Sequence, residues 1–108
     1  MATINTITFN EGSTGVAGTY AAGDTITATV DYVPDTASVV PATNTLTTTI
    51  TDASGNVVAT TSTEFVVNTV NPAGDVVAVS DSGSRTWTPG TTTVEADGSL
   101  SQPFSATA

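Results

Sequence analysis

The chain of 108 residues has no cysteine, no histidine and no lysine. The first absence removes disulfides and thiolate nucleophiles. The second removes the imidazole base and, with cysteine, the commonest zinc and transition-metal ligands. The third removes Schiff-base chemistry. Charge is scarce too. Only 10% of residues are charged, against roughly a quarter in an ordinary soluble domain. Ten are acidic and one, Arg85, is basic, so the net charge is −9. That field repels phosphates and anionic headgroups, so neither nucleic acid nor a membrane surface is an expected partner. A cationic protein surface is. No metal or cofactor is expected either.

Long apolar runs are missing, and nothing approaches the ~20 residues that cross a bilayer as a helix. The start, Met1-Ala2-Thr3-Ile4-Asn5, lacks the basic-then-apolar pattern of a signal peptide, which points to synthesis in a cytoplasm. No window places apolar residues at i, i+3, i+4 and i+7 over three turns, so helices are not expected. What remains is rich in threonine and valine, both β-branched and suited to a pleated surface. With 38% apolar residues the chain can form a core, and its length fits one domain spanning 1–108.

Turn residues recur about every ten positions, the rhythm of a sandwich or barrel. The clearest strand is 24–33, where Ile26, Ala28, Val30 and Tyr32 alternate with polar residues. Strands are also expected at 3–9, 45–51, 57–63, 65–70 (a new strand or a continuation past a bulge), 75–80, 85–88, 91–95 and 99–107. Residues 15–18, 36–44 and 71–74 read as loops.

The ten acids are scattered, mostly beside Gly, Ser or Pro in turns, where Asp is favoured for local hydrogen bonding. A glycosidase would need two carboxylates facing across a cleft, and no spacing favours that. Two short runs, Asp52-Ser54-Asn56 and Asp81-Ser82-Ser84, could offer oxygens to calcium, but neither matches a known loop pattern and plain turns are preferred. A serine nucleophile would lack its usual base. Arg85 and Trp87 would share one face of a strand, and both types are enriched at interface hot spots. The competing reading puts Trp87 in the core and pairs Arg85 with a nearby Asp. Tyr20 carries the same split. Ile4 and Asn5 on the first strand complete the candidate partner-binding residues. With no lysine to guard sheet edges, only Pro34, Pro41, Pro72, Pro89 and Pro103 protect them from pairing with a neighbour.

Three segments carry a resemblance: YAAGDTITATV at 20–30, LTTTITDASGNVV at 46–58, and Asp97-Gly98 followed by FSAT at 104–107. Together they resemble the second strand, central hairpin and closing strand of immunoglobulin-like domains of bacteria and bacteriophages. Two antibody hallmarks are missing, the cysteine pair and a tryptophan on the third strand. The resemblance implies an all-β, immunoglobulin-like antiparallel β-sandwich of about seven to nine short strands. It is similar in kind to accessory proteins of tailed phages. By that likeness the chain is expected to be a capsid decoration protein, not an enzyme. It would bind the major capsid protein on the outer surface of the virion, with further copies of itself as a second candidate partner. The alternatives are a phage tail tube or fibre module that binds host glycans, and a bacterial adhesin domain. The missing lysine excludes the lysine–asparagine crosslink of many such adhesins.

Overall fold

A computed structural model of the chain describes residues 3–33, 42–51, 54–69, 77–83 and 85–108. Among them nine strands form two sheets packed face to face, an all-β sandwich. The strands are β1 (Thr3–Phe9), β2 (Thr19–Ala21), β3 (Thr25–Val33), β4 (Ala42–Thr51), β5 (Val57–Thr69), β6 (Val77–Asp81), β7 (Thr88–Pro89), β8 (Thr93–Val94) and β9 (Leu100–Thr107). One sheet runs β1-β3-β9, with β7 and β8 both on the far side of β9. The other runs β2-β4-β5-β6. Every pairing is antiparallel except the short β2–β4 ladder.

The alternation of β3 is realised in full. Ile26, Ala28 and Val30 are wholly buried and Tyr32 nearly so, while the residues between them face outward. Phe65 and Val67 of β5 and Val77 of β6 meet them from the other sheet, and Phe104 of β9 joins them from beside β3. Each fully buried large apolar side chain contributes about 1.5–3 kcal/mol. Phe9, Phe65 and Trp87 form an edge-to-face chain through this core. Phe9 and Phe65 have centroids 5.3 Å apart at 78°, and Phe65 and Trp87 4.9 Å apart at 68°. Such pairs add roughly 0.5–1.5 kcal/mol beyond area burial.

Several elements differ from the sequence expectation. Residues 57–69 are one continuous strand. β4 begins at Ala42, inside the expected 36–44 loop. β2 is a strand that alternation could not reveal, because three residues carry no periodicity; its pairing with Thr47, Thr48 and Thr49 creates it. The 85–88 strand shrinks to β7, and residues 85–87 are irregular. The 71–74 turn, Pro34, Pro41, Pro72, and Asp52 of the first calcium candidate lie outside the described residues, as does Ser84 of the second.

Pro103 is not an edge guard. It sits within β9, opposite Thr29 of β3. Its carbonyl accepts from Gly90 N–H at 2.7 Å on the other side. In a strand, a residue's N and C=O point the same way, so the missing N–H of Pro103 also faces away from β3. The neighbouring chain responds by breaking into β7 and β8, with Gly90 bulging around the ring. A Cβ at Gly90 would lie 2.8 Å from Pro103 Cγ.

Candidate functional site

The residues nominated from the sequence do not converge. Tyr20 is fully buried and belongs to the core. Its hydroxyl donates to the Asn10 carbonyl at 2.7 Å, and burial pushes the phenol above its ordinary value of 10.0. It therefore has no surface with which to touch a partner. Ile4 is half-buried and packs on the core. Asn5 is exposed at a bulge in β1, where its amide donates to Asp31 Oδ1 at 3.2 Å.

Arg85 and Trp87 lie near each other but not as neighbours on a strand face. Both are tied to Asp81. Trp87 Nε1 donates to Asp81 Oδ2 at 2.7 Å, and Arg85 Nη1 lies 3.6 Å from the same oxygen. Gly83 N–H donates to Asp81 Oδ1 at 2.7 Å. The Asp81 side chain is wholly buried, so these groups supply the partners that a carboxylate out of water requires. Arg85 also donates to Thr63 Oγ1 at 3.3 Å and to Thr48 Oγ1. It thus straps the segment after β6 across the inner face of β4 and β5. Core placement for Trp87 and charge pairing for Arg85 are the arrangement found.

A groove of about 440 Å³ lies beside this strap. Thr48, Thr61, Thr63, Gly83, Arg85, Thr107 and Ala108 line it. On β5 the inward positions change from Phe65 and Val67 to Thr63 and Thr61, so the wall turns from apolar to hydroxyl-bearing where the sandwich ends. Among the described residues no aromatic ring lines this groove, so they offer no stacking platform of the kind that a sugar-binding surface uses.

Asp24 and Asp97, like Asp81, are held by their own fold. Asp24 Oδ2 accepts from the Ser13 hydroxyl at 2.7 Å, from Ser13 N–H at 3.1 Å and from Ala21 N–H at 3.0 Å. These bonds, the hydroxyl's first, hold its carboxyl below the ordinary value of 3.8. Gly12, at φ 60°, closes the same loop. A Cβ there would stand 2.8 Å from the Tyr20 ring and 3.1 Å from Asp24 Oδ2. Asp97 is lowered likewise by Ser99, whose hydroxyl lies 2.6 Å from Asp97 Oδ1 and 3.0 Å from Glu95 Oε2. Among the described residues no three acids gather in a way that could hold a metal ion. No protein-family model, curated protein or solved structure matches this chain.

Proposed function

We propose that the chain is a structural contact protein of a virus particle, a head decoration protein of a tailed bacteriophage. It would sit on the outer capsid surface and strengthen the shell by packing and strand pairing, without chemistry. The observation that carries this reading is the commitment of its reactive groups. Arg85, Asp24, Asp81, Asp97 and Ser99 are each bonded to groups of their own fold. A net charge of −9 suits a cationic lattice built from the major capsid protein.

The test uses particles with and without the chain. Electron microscopy of the complete particle places the protein at regular sites on the outer shell, and its removal lowers the temperature at which the heads release DNA. Absence of the chain from the shell, or turnover of a substrate by the isolated protein, overturns the proposal.

A further inference from the structure

β5 is longer than the partner on its outer side. β6 covers only Phe65 to Thr69, and the loop beyond it reaches one residue further, where Ser82 N–H donates to the Glu64 carbonyl at 3.0 Å and Ser82 Oγ accepts from Glu64 N–H at 3.0 Å. Backbone groups alternate along a strand. The N–H and C=O of Ser62 and Thr60 therefore point the same way as those of Glu64. Among the described residues no strand lies opposite them. The other side of this stretch is held by β4, through Thr47↔Ser62 and Thr49↔Thr60.

The stretch 57–62 is exposed throughout and reads VVATTS, with no charge and no proline. Natural sheets guard open edges with charges, prolines or bulges. Three of the other edges have such a guard. β1 is bulged at Asn5, β7 carries Pro89, and β2 is three residues long. The stretch around Thr60 and Ser62 has none of these guards.

We infer that the outer edge of β5 at Thr60 and Ser62 accepts an extended strand from a partner protein rich in lysine or arginine. This deepens the proposed contact function and rests on it. Charge decides between occupants. A second copy would bring another −9 to the joint, whereas a basic strand finds an uncharged ladder on an acidic body, with Glu64 exposed at its end. The main-chain ladder supplies affinity, and alternate side chains of the incoming strand supply selectivity.

The experiment titrates the full chain with two synthetic ten-residue peptides of alternating Thr and Val, one flanked by lysines and the other by glutamates, and follows backbone amides by NMR and hydrogen exchange. The lysine peptide protects the Thr60 and Ser62 amides and weakens as salt rises to about 0.5 M. Thr60→Pro removes one outward donor at a position where the fold does not use it, so the variant folds and binds about tenfold more weakly. Ser62→Lys also weakens binding, and Ser62→Glu does not. Three results overturn the inference: no protection at Thr60 and Ser62, equal binding of the glutamate peptide, or self-association through this edge that strengthens with salt. Because no particle is involved, a negative result here leaves the shell experiment standing, and a negative shell result leaves this one readable.

Discussion

At the scale of single residues, the group around Asp81 shows how one buried charge organises a region. Two N–H donors, from Trp87 and Gly83, and one guanidinium converge near a side chain that water does not reach. Arg85→Met keeps the aliphatic stem but leaves the carboxylate without a counter-charge. A cost of about 3 kcal/mol is expected, read as a lower urea midpoint at unchanged slope. Arg85→Lys recovers only part of it, because an ammonium cannot reach Thr48, Thr63 and Asp81 as a planar fork does. Asp24 governs the acid limit. Its folded carboxyl is held below its unfolded value of 3.8, so the stabilisation is present above that value and is lost as pH falls through the lowered folded value. Stability measured by urea melts should therefore drop below about pH 4. Asp24→Asn should flatten that drop without abolishing it, because Asp97 titrates with the same sign.

At the scale of elements, legibility followed periodicity. β3 was readable because burial on one face leaves an alternating record over nine residues. β1 and the β4–β5 hairpin left similar records in threonine and valine. β2 left none, since its existence depends on a parallel neighbour far along the chain. Residues 85–87 were misread for a related reason: their apolar and charged side chains answer to Asp81 and Phe65, not to a ladder. The role of Asp in turns was legible at Asp24 and Asp97. The groove wall was not, because Thr61 and Thr63 look the same in sequence whether they face solvent or an opening between sheets.

Pro103 belongs to this scale too. A central-strand proline is tolerated because β7 and β8 part around it, and Gly90 is the residue that allows the parting. Gly90→Ala is expected to cost about 1–3 kcal/mol, seen as a lower melting temperature. In a Gly90→Ala, Pro103→Ala double variant the loss should be smaller than the sum of the two single losses, since removing the ring removes the obstacle.

At the scale of the whole molecule, two quantities matter. The radius of gyration is 14.9 Å and the long axis 50 Å, against a radius of about 13 Å for a compact domain of this length. The excess fits a β4–β5 hairpin that outruns the sheet facing it. Ten acids, for a net charge of −9, face a single cation, and that cation is already paired. Self-repulsion should therefore set part of the stability. Raising salt from low ionic strength to about 0.5 M is expected to raise the melting temperature by roughly 5 °C, equivalent to about 1 kcal/mol. A flat or falling melting curve against salt would mean that the acids are too far apart to matter.

The break in the strand beside Pro103 has a final consequence. Cross-β growth needs a sheet whose lateral flanks are continuous templates, so that each added chain offers the next the same surface. Here one flank of the β1-β3-β9 sheet is two fragments of two residues each, and the opposite flank is bulged. That sheet cannot propagate. Growth between crowded copies is thereby confined to the other sheet, at the outer edge of β5.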